Sequence, residues 1–183
     1  MRKANAIISV IMLLLFLGHM IYGILVLTGV TSGGAKWMHA ITDSMATLLL
    51  VHMILGSILT FKTIKACKKS GVHYFKENLL FWIRRISGFA LFFFMLDHMI
   101  AFSTTDEGGV VRLSLFNVLA LTMQILMVIS LLVHLSVNIK PLCIALGFED
   151  KANLKTDIIV VISVILLLAA IGFLIYFIRW QRI

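Results

Sequence analysis

Apolar positions run along this chain in five long blocks, not in the alternating or three-to-four spacing of half-buried elements. The blocks cover roughly residues 4–28, 38–61, 79–102, 113–137 and 158–178. Each approaches the ~20 residues that a helix needs to cross ~30 Å of hydrocarbon. A chain in lipid must satisfy its own backbone, so each block predicts a transmembrane helix. The first block follows Met1, Arg2 and Lys3 as a secretory leader would, but it is long enough to span and no A-x-A site follows it. It is read as a retained helix. The expected fold is an all-α integral membrane protein: one domain over residues 1–183, with five transmembrane helices.

Composition agrees. Of 183 residues, 61% are apolar and 13% charged, more apolar surface than a soluble domain of this length can hide. One Pro and 12 Gly leave no room for Pro-rich linkers, and no internal repeat is visible. A net charge of +8 would raise nucleic acid as a partner for a soluble protein. Here the basic residues gather between the blocks, where they meet the lipid bilayer or acidic partners, and no nucleic acid is expected. Arg2 and Lys3 precede the first block. Lys62, Lys65, Lys68, Lys69, Lys76, Arg84 and Arg85 fall in or beside the second connection, and Lys140, Lys151 and Lys155 in or beside the fourth. The first and third connections, 32–37 and 103–112, hold only Lys36 and Arg112, the third adding Asp106 and Glu107. The positive-inside rule then puts the N-terminus in the cytoplasm and the C-terminus outside, in the cell's inner (cytoplasmic) membrane. On this layout Cys67 and Cys143 fall in cytoplasmic loops. With no CxxC, neither a disulfide nor an iron–sulfur cluster is expected.

The chemistry lies in four histidines, one in each of the first four blocks. At ~1.5 Å per residue, His19 stands about 24 Å beyond Lys3 and His98 about 20 Å beyond Arg85. His52 lies about 15 Å from Lys62, and His134 about 9 Å from Lys140. That makes an outer pair, His19 with His98, and an inner pair, His52 with His134. Membrane imidazoles need partners. Two pairs on alternate helices of a bundle match the axial ligands of two stacked b-type haems, held by the first four helices with the fifth as scaffold.

The neighbours fit a flat macrocycle. Gly23 and Gly56 each follow a histidine by four residues, on its face, and leave room for a porphyrin. Ser130 and Asn138 flank His134 at i−4 and i+4, placed to touch a haem edge or propionate. Arg84 and Arg85 suit propionates, or serve as positive-inside anchors. His39 and Asp43, i and i+4 on the outer turns of the second helix, could bind a quinone head group and exchange its protons, or satisfy each other beside Lys36 and Trp37. Asp97 adjoins His98 but points about 100° around the helix, so it is not expected as its partner. His73, in the second connection, reads as solvated or as part of a surface for a soluble partner.

The stretch Arg84-Arg85-Ile86-Ser87-Gly88, with His98 ten residues beyond Gly88, resembles the signature region of the succinate:quinone oxidoreductase cytochrome b family. In that family an R-[IV]-[ST]-G-like segment opens a ligand-bearing helix. The whole chain is similar to its dihaem, five-helix, N-in/C-out branch. The resemblance implies that the first and third helices share the haem far from the soluble subunits, and the second and fourth the near one. It also implies a cytoplasmic iron–sulfur subunit and flavoprotein as partners, and a membrane quinone, expected to be menaquinone. Arg85 and Ser87 become quinone candidates by the same resemblance. The chain departs from the pattern in its short connections and in having no Glu within its spans, so a proton route through such an acid is not expected. The resulting expectation is a succinate dehydrogenase or fumarate reductase anchor that passes electrons and leaves dicarboxylate chemistry to another chain. The alternatives are a dihaem subunit of a hydrogenase or formate dehydrogenase, and a haem-free, proton-relaying transporter component. Absence of Pro breaks and of Glu in the blocks weighs against transport.

Overall fold

The structure is a computed structural model describing residues 1–71, 78–102, 104–107, 110–113, 116–148 and 152–180. Five helices account for most of it: α1 (Arg2–Leu27), α2 (Lys36–Ser70), α3 (Leu79–Ala101), α4 (Val118–Leu146) and α5 (Ala152–Trp180). All five are long and apolar enough to cross a membrane. The chain is a multi-pass membrane protein.

The helices differ from the five apolar blocks at several ends. α2 runs on to Ser70, so Lys62, Lys65, Lys68, Lys69 and Cys67 ride on helix rather than loop. Likewise α4 continues to Leu146 and carries Lys140 and Cys143, and Cys143 is buried. Both cysteines are free, and neither sits in a loop as their place between the blocks suggests. Helices extend past hydrocarbon because basic residues on the polar overhang do not oppose helix formation.

The fourth block starts late. Residues Val110–Leu113 form a strand, β2, paired antiparallel with β1 (Thr104–Glu107), Thr104 opposite Leu113. The β-branched pair Val110–Val111 suits that ribbon. Asn117 then caps α4, its Oδ1 accepting the Ala120 N–H at 2.9 Å. His73, Lys76, Lys151 and Arg182 lie outside the described residues.

One interior feature of α4 explains a cross-helix bond. Pro141 sits inside the helix and has no N–H to give the carbonyl four residues back, that of Val137. Arg84 supplies the missing donor, its Nε meeting Val137 O at 2.9 Å.

α4 packs extensively against α3, α5 and α1, while α1 also joins α2 and α5. The largest buried cluster draws Met20 and Leu27 from α1, Leu91 from α3, Met127 and Val128 from α4, and Ile162, Leu166, Ala169 and Phe173 from α5. Phe116 closes one end of it. α5 is thus part of the core rather than an outer cover. Among the described residues, the extensive helix contact of α2 is with α1.

α1 and α5 run parallel. Gly172 faces Ile24 and Leu27, and Arg179 Nη1 donates to Leu27 O at 3.1 Å, satisfying the last carbonyl of α1. Gly29 follows at φ 79, where the Arg179 guanidinium occupies the place of a side chain. Glycine meets both demands: a left-handed backbone and no Cβ.

Candidate functional site

The four span histidines gather at two levels, each between helices. At the level farther from the N-terminus, His19 of α1 and His98 of α3 bring their ring centroids to 6.1 Å with planes 78° apart. Phe102 and Phe173 stand 5.0 and 6.1 Å from the His98 ring and limit its movement. At the other level His52 of α2 and His134 of α4 lie within electrostatic range of each other.

Hydrogen bonds engage Nδ1 in three of the four rings. Ser87 Oγ lies 3.2 Å from Arg84 O and 3.1 Å from His134 Nδ1, so its one proton serves either the carbonyl or the ring, according to the tautomer of His134. Ser9 repeats the arrangement: its Oγ donates to Asn5 O at 2.8 Å and stands 3.2 Å from His52 Nδ1. At His98 the acceptor is Gln124. Its Nε2 donates to Asp97 Oδ2 at 3.1 Å, which orients the amide so that Oε1 accepts from His98 Nδ1 at 2.7 Å. Three imidazoles thus have Nδ1 tied to a neighbouring side chain, while Nε2 takes no hydrogen bond among the described residues. In metal-binding proteins a ligating histidine commonly has its other ring nitrogen tied in this way. His19 differs, with Nδ1 buried and without a hydrogen-bond partner.

The glycines divide by role. A Cβ on Gly23 or Gly56 would meet nothing within 4 Å, so the positions one turn beyond His19 and His52 open onto free space. Gly88 is the reverse: a Cβ there would stand 3.2 Å from His134 Cε1. The glycine of the Arg84–Gly88 stretch lets the His134 ring lie against α3.

Other candidates are partly committed elsewhere. Asn138 Nδ2 donates to His134 O at 2.7 Å, within its own helix. Ser130 is half-buried, and its hydroxyl makes no hydrogen bond among the described residues. Arg84 serves Val137 O as described. Arg85 Nε donates to Thr60 Oγ1 of α2 at 3.0 Å, and its guanidinium lies 3.5 Å over the Phe81 ring. Both arginines stand within α3, past its first turn. Ser87 is buried against His134. His39 and Asp43 are exposed on α2, and neither side chain bonds the other among the described residues.

Two contributors escape a reading of the sequence. Ser9 is one hydroxyl among several, and only the pairing of α1 with α2 selects it. Gln124 carries a clearer signal, an amide inside an apolar span, and it is fully buried. It also links Asp97 to His98 indirectly. The 100° offset rules out direct contact, but an amide with an acceptor end and a donor end spans the gap.

No group of three or more His, Cys, Asp or Glu side chains gathers among the described residues. What the arrangement offers is pairs. Comparison with protein families, with curated proteins and with solved structures finds no match for the chain.

Proposed function

We propose that this chain is the dihaem cytochrome b membrane subunit of a succinate dehydrogenase or fumarate reductase, with its N-terminus in the cytoplasm. The observation that carries the proposal is the set of three span imidazoles held at Nδ1 and free at Nε2. Packing histidines have no need of such uniform arrangement.

The residues fit the group. The His19 and His98 ring centroids, 6.1 Å apart, are close enough for both imidazoles to reach one metal ion at bonds of about 2 Å. Gly23 and Gly56 leave space where a macrocycle needs it. His19 and His98 would hold the outer haem, and His52 and His134 the inner one. Haem supplies one-electron chemistry; the chain's own residues place it at two depths and tune it. Ser9, Ser87 and Gln124 keep the ligand nitrogens pointed inward, and the buried core of α1, α3, α4 and α5 keeps their helices in register.

The basic residues on the overhang of α2 and near the N-terminus would meet an iron–sulfur subunit, itself joined to a flavoprotein, and a membrane quinone would complete the circuit. The resemblance around Arg84–Gly88 supports this partner set over that of a hydrogenase or formate dehydrogenase. The deciding experiment is pyridine haemochrome quantitation of the purified protein. About two b-type haems per chain are expected. His98→Ala should leave one, and absence of haem from the unaltered chain refutes the proposal. Co-purification of a flavoprotein and an iron–sulfur protein then separates the succinate-linked complex from the other partners.

A further inference from the structure

We infer that Gln124 and Asp97 act as positioning residues that hold the outer redox centre at a low potential by pulling on the far side of His98; this rests on the dihaem reading above. Three features single the pair out. The His98–Gln124 bond, at 2.7 Å, is shorter than the serine contacts of His134 and His52 at 3.1 and 3.2 Å. Its acceptor is backed by a carboxylate, Asp97 Oδ2 at 3.1 Å from Gln124 Nε2, whereas each serine is backed by a neutral backbone carbonyl. Gln124 is fully buried, so no water competes for the bond.

An acceptor drawing on Nδ1–H raises electron density at Nε2, making the imidazole a stronger donor. A stronger donor favours the oxidised metal, and so lowers its potential. Negative charge one residue further along the chain of bonds adds to the effect. Aspartate alone cannot do this from the His98 helix because it points the wrong way round. Glutamine alone would be free to turn its amide. Together they give an acceptor of fixed direction.

The test is a spectroelectrochemical titration of the whole haem-loaded chain in detergent, comparing Gln124→Met and Asp97→Asn with the parent. Phe102 and Phe173 keep the His98 ring in place in both variants. Gln124→Met should raise one of the two potentials, changing its oxidised-to-reduced ratio about tenfold at a fixed applied potential, or about 59 mV for one electron. Asp97→Asn, which keeps the hydrogen bond and removes the charge, should raise the same potential by less. The second haem should not move in either variant, and Ser87→Ala should move that second haem instead. If Gln124→Met fails to hold the outer haem, Asp97→Asn decides alone: a rise supports the inference and an unchanged potential overturns it. Haem-loaded variants with both potentials unmoved, or both moved equally, overturn it while leaving the dihaem reading standing. A parent chain without haem overturns both.

Discussion

Single side chains decide where each imidazole points, and the serine beside His134 makes the clearest case. Ser87 Oγ stands 3.1 Å from His134 Nδ1 and 3.2 Å from Arg84 O. Ser87→Ala leaves His134 Nδ1 without that partner and frees the ring to turn. Loss of such an outer-shell partner typically weakens metal affinity 10–100-fold. On the dihaem reading proposed above, the haem held by His134 should therefore be lost preferentially on dilution or mild detergent treatment while the other stays, a difference that low-temperature absorption bands resolve. Gly88→Ala acts on the same ring by another route, because its methyl would press on His134 Cε1 at 3.2 Å. It should perturb the inner centre's spectrum without touching the outer one, and equal changes in both would contradict the assignment. At this scale the sequence was a partial guide. Histidines at matched depths and the Arg84–Gly88 stretch were visible in it, because an imidazole in hydrocarbon stands out one residue at a time. Ser9 and Gln124 carry no such mark of their role, because their meaning lies in which neighbour they reach, and that depends on helix rotation.

Elements carry their own conflicts, and α4 carries a Pro inside the helix. The Val137 carbonyl loses its intrahelical donor there and takes Arg84 Nε from α3 instead. Arg84→Met should strand that carbonyl and destabilise the folded chain by about 1–3 kcal/mol. Pro141→Ala restores an N–H inside α4 and should make Arg84 less necessary. The double variant Arg84→Met with Pro141→Ala is then expected to be less damaged than the single arginine variant. Thermal unfolding in detergent of the four proteins of the cycle measures that coupling. Strict additivity would show that the bond across the helices contributes nothing. The existence of five helices was readable from hydrophobic length alone, and their ends were not. The α4 start moved from 113 to Val118 because a strand-forming pair and the Asn117 cap outcompete hydrophobicity at that point. At the other end the helix crosses Pro141 because a residue from another helix repairs the defect.

Across the whole molecule the packing is lopsided, and that asymmetry makes the strongest test of what fills it. α1, α3, α4 and α5 share one buried cluster to which α2 contributes nothing, and the extensive contact of α2 is with α1. Yet α2 carries His52, and its Gly56 opens onto free space. The sequence predicts a haem-binding bundle of the first four helices with the fifth as scaffold, because it counts histidines and not methyl groups. The two views meet if α2 is joined to α3 and α4 chiefly through cofactor. In that case the inward face of α2 gains most of its burial when the two macrocycles bind, whereas α4 and α5 are already packed by side chains. Haem-depleted protein should then keep α4 and α5 protected from amide hydrogen exchange in detergent, and show α2 exchanging much faster. Haem loading should slow α2 most of all, since a helix with few buried contacts opens locally at low free energy. His52→Ala, which removes one axial ligand, should reproduce the fast exchange of α2 in an otherwise loaded chain. Equal exchange of α2 with and without haem would mean that lipid, α1 and the Arg85–Thr60 bond hold the helix, and that no ligand bridges it to the rest of the bundle.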